Sequence, residues 1–112
     1  MNEKEAIEKI KNVILDECNK AGVEVLKIIL FGSRARGDAK KDSDFDVYVV
    51  VKDIDFMVYK KLYSSLLWRF AEVGLDVDIV LRTKEVFDRN KEFLGYVSYY
   101  VNRDGVVLWM KS

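Results

Sequence analysis

Apolar residues recur along this chain at two spacings, which predict an alternation of helices and strands. A spacing of three to four residues is typical of a helix with one buried side. Short runs rich in valine, isoleucine and phenylalanine are typical of strands. The predicted order is α-β-α-β-α-β-α-β, in which the second helix is a turn at most. In chain order we predict a helix at about 3–21, a strand at 27–31, a polar loop at 32–43, a strand at about 45–52, a helix at about 55–73, a strand at about 75–82, a helix from Thr83 to about Arg103 and a strand at 106–110.

The predicted second and third strands divide their side chains between two faces. Alternate residues of a strand point to the same side. One side of these strands is wholly apolar, and the other side carries Asp44, Asp46 and Asp78. The sheet is therefore predicted to have a packed side and a polar side. The residues expected to face the helices are Phe45, Val47, Val49, Val51, Val77, Ile79 and Leu81.

Asp44 and Asp46 give the first indication of chemistry. Their spacing at the start of a strand places both carboxylates on one side, about 7 Å apart along the strand. Like charges this close repel each other unless a cation lies between them. Such oxygen ligands suit Mg²⁺, which fills its other positions with water and substrate phosphate. Taken alone, the pair is more often a solvated feature of a strand start.

A Gly-Ser pair after the first strand strengthens this interpretation. Gly32 lets the backbone approach a ligand closely, and Ser33 is expected to cap a short helical turn that begins at Arg34. Free N–H groups there would bind an anion, and Arg34 and Arg36 add positive charge. An ordinary turn after the strand, with both arginines in solvent, would give the same sequence pattern. The functional interpretation rests on the whole order of strand, Gly-Ser, basic loop, two aspartates and strand.

A third aspartate lies inside the predicted third strand. In LDVDIVLR, Asp76 and Asp78 share one side of a strict alternation. An aspartate flanked by Val77 and Ile79 is disfavoured by strand propensity and by burial. A metal shared with Asp44 and Asp46 would compensate, and Asp78 is chosen over Asp76 because it is the more interior. The alternative is that both aspartates lie on a wet face of the sheet.

The spacing Gly-Ser, ten residues, Asp-x-Asp, followed by a lone aspartate in an apolar strand, resembles the DNA polymerase beta-type nucleotidyltransferase superfamily. Its smallest branch, the minimal nucleotidyltransferases, matches in size. The resemblance spans nearly the whole chain, including GSRARG, SDFDVYVVV, VDIVL and DGVVLW. It implies an α/β (α+β) nucleotidyltransferase fold, a mixed β-sheet backed by helices on one face. Sequence alone would also allow a wholly parallel sheet.

The same resemblance implies a site and a reaction. Gly32 and Ser33 would bind the triphosphate of ATP, with Arg36 near the leaving pyrophosphate and Arg34 a weaker candidate. Asp44, Asp46 and Asp78 would be catalytic and would bind two Mg²⁺ ions. Minimal nucleotidyltransferases commonly pair with a small helical HEPN protein. The leading hypothesis is therefore an antitoxin that transfers AMP to a tyrosine of a HEPN toxin.

Two alternatives come from other classes of protein. In one, the chain is a non-catalytic partner protein that binds nucleotide and acts by occlusion. The set of three aspartates counts against this, since a binding module has no need for them. In the other, the enzyme modifies a small hydroxylated molecule such as an aminoglycoside. So short a domain would then need a dimer to complete the pocket.

Composition limits the number of domains and the kinds of partner that we expect. The 112 residues are predicted to form a single domain, residues 1–112, and the formal net charge is zero. A protein that binds long nucleic acid through many phosphate contacts is usually basic, so long nucleic acid is not expected as a partner. No segment has the apolar length of a membrane span, and no signal peptide is visible, which favours a cytoplasmic protein. The lone cysteine, Cys18, falls on the apolar side of the first helix and is expected to be buried.

Four aromatic residues suggest a contact surface. Trp68 lies off the apolar side of its helix, which is expected to comprise Tyr59, Leu62, Tyr63, Leu66, Leu67 and Phe70. Tyr96, Tyr99 and Tyr100 widen the apolar band of the last helix. Tryptophan and tyrosine are enriched in the energetic centres of interfaces. Broad burial under a small sheet, or self-association of the chain, would produce the same pattern.

Overall fold

The structure, a computed structural model, describes residues 1–112. Its elements follow the predicted order with one addition, since two helices rather than one follow the third strand. None of the five helices has both the length and the apolarity to cross a lipid bilayer. In chain order the elements are α1 (Glu3–Lys20), β1 (Val25–Phe31), α2 (Gly32–Arg36), β2 (Phe45–Val51), α3 (Phe56–Glu72), β3 (Val77–Thr83), α4 (Lys84–Asn90), α5 (Val97–Asp104) and β4 (Val106–Met110).

The four strands form one mixed sheet in the order β3-β2-β1-β4. β1 pairs antiparallel with both β2 and β4, whereas β2 and β3 run parallel. The mixed sheet expected from the resemblance is therefore confirmed. β2 lies inside the sheet, and its alternating sequence determines what each face of the sheet offers.

α1 and α3 cover one face of the sheet and form the larger hydrophobic core. The apolar side of β2 faces them, as predicted, and Cys18 is fully buried in the same core. Leu67 is an exception to the predicted buried side of α3, because 44% of it remains exposed. The strands and helices that meet here contribute Ile10, Ile14, Phe45, Val47, Val49, Val51, Leu62, Leu66, Phe70, Ile79 and Leu81.

α4 and α5 cover part of the opposite face and form a smaller core. Phe87 of α4 and Val101 of α5 pack on Ile29, Tyr48 and Val50 of the sheet. The buried Tyr48 hydroxyl hydrogen bonds with the Ser98 hydroxyl of α5 at 2.7 Å. Burial raises the pKa of Tyr48, so the phenol stays neutral. The helices thus add cover to the polar side of the sheet but leave one end of it open.

The prediction of one helix from Thr83 to Arg103 was wrong. Thr83 does cap α4 by accepting a hydrogen bond from the Val86 N–H, but α4 ends at Asn90 and α5 starts only at Val97. Gly95 lies in the break with φ +102°, outside the helical region. The break lets Phe87 and Val101 reach one patch, whereas a continuous helix would separate them by about 21 Å.

Candidate active site

Strand pairing places the predicted site residues side by side. In the parallel register of β2 and β3, Asp46 is the direct partner of Asp78. In the antiparallel register of β1 and β2, Asp46 is the partner of Phe31, the residue before Gly32. Neighbouring strands lie about 4.8 Å apart. Asp78, Asp46 and Phe31 therefore form a row across three strands at one end of the sheet.

Asp46 lies directly against Gly32. A Cβ atom on Gly32 would fall 2.1 Å from the Oδ2 atom of Asp46, which is far too close. Gly32 also has φ +71°, a conformation that other residues adopt only at a cost. Glycine is therefore favoured at this position for two reasons: the backbone has a positive φ, and the Asp46 carboxylate leaves no room for a Cβ atom. This contact joins the Gly-Ser turn to the second aspartate of the Asp-x-Asp pair.

The electrostatics of Asp46 show that the three carboxylates share one region, here called the acidic cluster (Asp44, Asp46 and Asp78). Burial raises the pKa of Asp46, and the charges of Asp78 and then Asp44 raise it further. The Arg36 guanidinium acts in the opposite direction. Asp44 and Asp78 are exposed to solvent. The cluster is thus a concentration of negative charge open on one side.

The chemistry of the acidic cluster fits a hard divalent cation. Its donors are carboxylate oxygens, the chain has no histidine, and Cys18 is buried in the other core. As the side chains stand, no group of three or more acidic or cysteine residues closes on a common point at metal-binding distance. Mg²⁺ usually takes one or two carboxylates and completes its shell with water and substrate phosphate. An open, oxygen-only cluster suits that mode of binding.

The predicted cap at Ser33 and the predicted start of the short helix at Arg34 both need correction. Ser33 does not cap a turn that starts at Arg34, because α2 already begins at Gly32 and contains Ser33. The Ser33 carbonyl instead accepts hydrogen bonds from the N–H groups of Gly37 and Asp38, at 3.0 and 3.1 Å, which closes this short helix. The glycine's positive φ is what allows the helix to start directly after β1.

The two arginines of α2 have different environments. Arg34 donates hydrogen bonds to the carbonyl oxygens of Ser43 and Lys41, and its guanidinium lies 4.2 Å from the centre of the Phe45 ring. It holds the loop before β2 and is not free to reach a substrate. Arg36 is exposed and pairs with Asp38 at 3.3 Å. Of the two candidates, Arg36 alone faces the acidic cluster.

A cleft of about 430 Å³ adjoins the acidic cluster and was not predicted. It lies between the end of β1, α2 and α5, and we call it the α5 cleft. The sequence analysis noted Tyr100 only as a surface aromatic, because nothing in the local pattern brings α5 next to Gly32. A buried hydroxyl pair, Tyr48 with Ser98, fixes α5 against the sheet there. The lining residues are Phe31, Gly32, Arg36, Val97, Tyr100, Arg103 and Asp104.

Comparison with known proteins agrees with the class of protein that this arrangement defines. The sequence matches the family model described as nucleotidyltransferase domain over residues 7–100. The chain therefore belongs to the nucleotidyltransferase domain family and is a nucleotidyltransferase, as the sequence resemblance implied. It is 35% identical over 89 residues to MJ0604 of Methanocaldococcus jannaschii, which is named as a candidate protein adenylyltransferase. That match covers 80% of this chain and 82% of the relative.

Solved structures extend the same likeness. A candidate nucleotidyltransferase of Sulfolobus solfataricus is 26% identical, with a TM-score of 0.60 over 94% of this chain and 80% of the other. The structure of a tri-AMPylated Shewanella oneidensis HEPN toxin in complex with MNT antitoxin is 20% identical, with a TM-score of 0.51. It covers 94% of this chain and 73% of the matched chain, and this likeness concerns the fold alone. The predicted nucleotidyltransferase fold is thus confirmed.

Proposed function

We propose that this nucleotidyltransferase transfers AMP from ATP to a hydroxyl group of a partner protein, with Mg²⁺ as the metal. The preferred acceptor is a tyrosine of a HEPN-type toxin, which would make the chain an antitoxin. The observation that carries the proposal is the strand register that pairs Asp46 with Asp78 directly beside Gly32. That pairing unites the three carboxylates and the turn expected to bind phosphate.

Each site residue has a proposed role in this reaction. Asp44, Asp46 and Asp78 would hold two divalent cations. When bound, these ions neutralise phosphate charge and lower the pKa of the acceptor hydroxyl. The backbone of Gly32 and Ser33 would contact the β and γ phosphates.

The transfer step follows from this placement. The acceptor oxygen attacks the α phosphorus and forms a new O–P bond, while the bond between the α phosphorus and the bridging oxygen breaks. Pyrophosphate leaves, with its charge offset by Arg36, and the proton of the hydroxyl passes to the Asp78 carboxylate. Because β3 is an edge strand of the sheet, the acceptor has room to approach from the side of Asp78.

Two findings favour a protein acceptor. The relative MJ0604, over most of its length, is named as a candidate protein adenylyltransferase. The fold is also that of a chain found in complex with an AMPylated HEPN toxin. The zero net charge gives no reason to expect a long nucleic acid. A small hydroxylated acceptor is the alternative, and the experiment below distinguishes it from a protein acceptor.

The test compares two radiolabelled forms of ATP. The purified chain is incubated with Mg²⁺, host-cell lysate, and ATP labelled either at the α phosphate or at the γ phosphate. We expect only the α label to enter protein, on a tyrosine whose mass rises by one AMP. The double variant Asp44→Asn/Asp46→Asn should lower labelling more than about a hundredfold, since even residues behind metal ligands typically cost 10–100-fold.

The controls separate this proposal from its rivals. Asp53→Asn changes an exposed aspartate in the loop after β2 and should leave labelling unchanged. Transfer of the γ label would indicate a kinase, and α label that enters only small molecules would indicate a small acceptor. Undiminished protein labelling by the double variant would refute the role given to the acidic cluster.

A further inference from the structure

We propose that a second cleft, at the end of the sheet away from the acidic cluster, binds a small organic phosphate. The cleft has a volume of about 430 Å³ and lies between α4, the end of α5 and the strands β2, β1 and β4. We call it the lysine cleft, because its lining includes Lys27, Lys84, Lys91 and Lys111. None of these residues has a role in the proposed transfer reaction, so the site is independent of the proposed function.

The lysine cleft is separated from the acidic cluster along β2. Val50 lines the cleft and comes four residues after Asp46, which corresponds to about 13 Å along a strand. Tyr48 lies between these two residues on the same face of the sheet and is fully buried under α4 and α5. A ligand in the lysine cleft is therefore expected to be a different molecule from the substrate triphosphate.

Lys27 provides the strongest indication that this cleft binds an anion. It lies on β1, an interior strand, and its cross-strand partners are the apolar Val50 of β2 and Met110 of β4. A partly buried lysine between two apolar residues is disfavoured by strand propensity and by the loss of solvation. The other three lysines of the cleft have carboxylate partners, whereas Lys27 has none. An anionic ligand would supply the missing partner.

The balance of charge in the lysine cleft indicates which anion fits. Lys84 and Lys91 share a single carboxylate, that of Asp88, and the lysine that follows β4 pairs with Glu24. Two of the four lysine charges, one of them on Lys27, therefore lack a side-chain carboxylate to balance them. A phosphate monoester carries a charge of about −1.5 to −2 at neutral pH, so a single phosphate group would balance both.

The floor of the lysine cleft is apolar and consists of Leu26, Val50, Phe87 and Met110. The Phe87 ring is held by the Tyr48 ring, with 5.3 Å between the ring centres. Such a surface favours a ligand with an apolar part, because a free phosphate ion would leave the floor in water. The volume lies within the usual range of small-molecule sites, roughly 300–1,000 Å³. The expected ligand is therefore a phosphate monoester with an apolar organic group.

The experiment measures binding to metal-free protein, in which the carboxylates of the acidic cluster repel phosphate. The probe is phenyl phosphate, a simple aromatic phosphate monoester, and inorganic phosphate is the comparison. Each is titrated while the backbone amide signals are followed by NMR. We expect phenyl phosphate to bind at least about tenfold more tightly, because its ring covers the apolar floor. The shifted amide signals should be those of Lys27, Phe87 and Met110, and not those of Gly32 and Asp46.

Substitutions at Lys27 test the role of its charge. Lys27→Met keeps an unbranched side chain but removes the charge. It should weaken phenyl phosphate binding at least about tenfold, the usual effect of losing one hydrogen bond between charged groups. Lys27→Arg keeps the charge and can donate to phosphate, so it should retain most of the affinity. Lys60→Met is the matched control and should have no effect, because Lys60 is exposed on α3, which covers the opposite face.

The possible outcomes distinguish this inference from the proposed function. The inference is wrong if the wild type does not bind phenyl phosphate or binds both probes equally. It is also wrong if the shifts are confined to the Gly-Ser turn, or if Lys27→Met binds phenyl phosphate like the wild type. Failure of AMP transfer in the presence of Mg²⁺ would instead refute the proposed function, and it would not affect a binding experiment performed without metal.

Discussion

The two faces of the sheet differ in what covers them and in the side chains that they carry. Along β2, the residues that face α1 and α3 are apolar from Phe45 to Val51 and fully or nearly fully buried. The residues of the other face change along the strand, from Asp46 through Tyr48 to Val50. α4 and α5 cover the last two of these and leave the first open. One strand thus contributes stability with one set of alternate residues and chemistry with the other.

This difference indicates where substitutions should separate folding from activity. On the face covered by α1 and α3 every side chain of β2 contacts a large apolar core, so a truncation there should reduce the free energy of unfolding. On the other face the charge at Asp46 is unfavourable to the fold, because burial and two neighbouring carboxylates raise its pKa. Substitution at that end should change function more than stability.

The largest effect on stability is expected from Leu66→Ala. Leu66 of α3 is fully buried in the larger core, and removal of such a side chain leaves a cavity that costs about 2–5 kcal/mol. Urea unfolding would measure the loss. The remaining folded protein should bind α,β-methylene-ATP with wild-type affinity, because Leu66 lies on the opposite face from the acidic cluster.

Leu67→Ala is the matched control, since it removes the same atoms from the next residue of the same helix. Leu67 is 44% exposed, and we expect its truncation to change stability by at most about 0.5–1 kcal/mol. Equal losses at Leu66 and Leu67 would contradict the assigned packing of α3. A loss of nucleotide affinity in folded Leu66→Ala protein would contradict the separation of the two faces.

Much of this division was predictable from sequence, because alternation along a strand is a local property. The pattern predicted the apolar side of β2, the polar side with its aspartates, and the caps at Thr83 and Gly105. The pairing of Asp46 with Asp78 could be anticipated only as a hypothesis, because the register between strands is a tertiary property.

Other features were beyond the local pattern. The break between α4 and α5 depends on packing, since Phe87 and Val101 meet on one patch only after the chain turns. The contact between Gly32 and Asp46 depends on the neighbouring strand, which no local pattern contains. The α5 cleft brings together residues about 70 positions apart, and no sequence spacing indicates such an encounter.

A second prediction concerns the contact that joins the Gly-Ser turn to the acidic cluster. Gly32→Ala adds a Cβ atom at a position of φ +71°, 2.1 Å from Asp46 Oδ2. Gly37→Ala is the matched control, because Gly37 has φ +84° in the same short segment and open space around it. Both should lose about 1–2 kcal/mol from backbone strain. We expect Gly32→Ala to lose at least about 1 kcal/mol more through overpacking.

A double-mutant cycle identifies the source of that excess. Asp46→Ala removes the carboxylate that the new Cβ atom would meet, so in that background Gly32→Ala should cost little more than Gly37→Ala. Thermal unfolding of the single and double variants would measure the coupling. If the excess cost of Gly32→Ala persists without the Asp46 carboxylate, the two residues do not make the contact described.

The smallest expected effect, opposite in sign, is a gain in stability from Asp46→Asn in chelator-treated protein. The substitution keeps the shape of the side chain and removes a charge repelled by Asp78 and Asp44. Because Asp46 is only partly buried, solvent screening limits the gain to under about 1 kcal/mol.

The gain should also depend on pH, because the pKa of Asp46 is raised in the folded state above its usual value of 3.8. Between the two values the native state binds more protons than the unfolded state, so wild-type stability falls as pH rises through that window. The gain should therefore be full at neutral pH and vanish well below pH 3.8. Chemical unfolding at both pH values, with Asp53→Asn as the control, would measure it. A loss of stability at neutral pH would mean that the Asp46 carboxylate supports the fold, contrary to the contrast between the two faces.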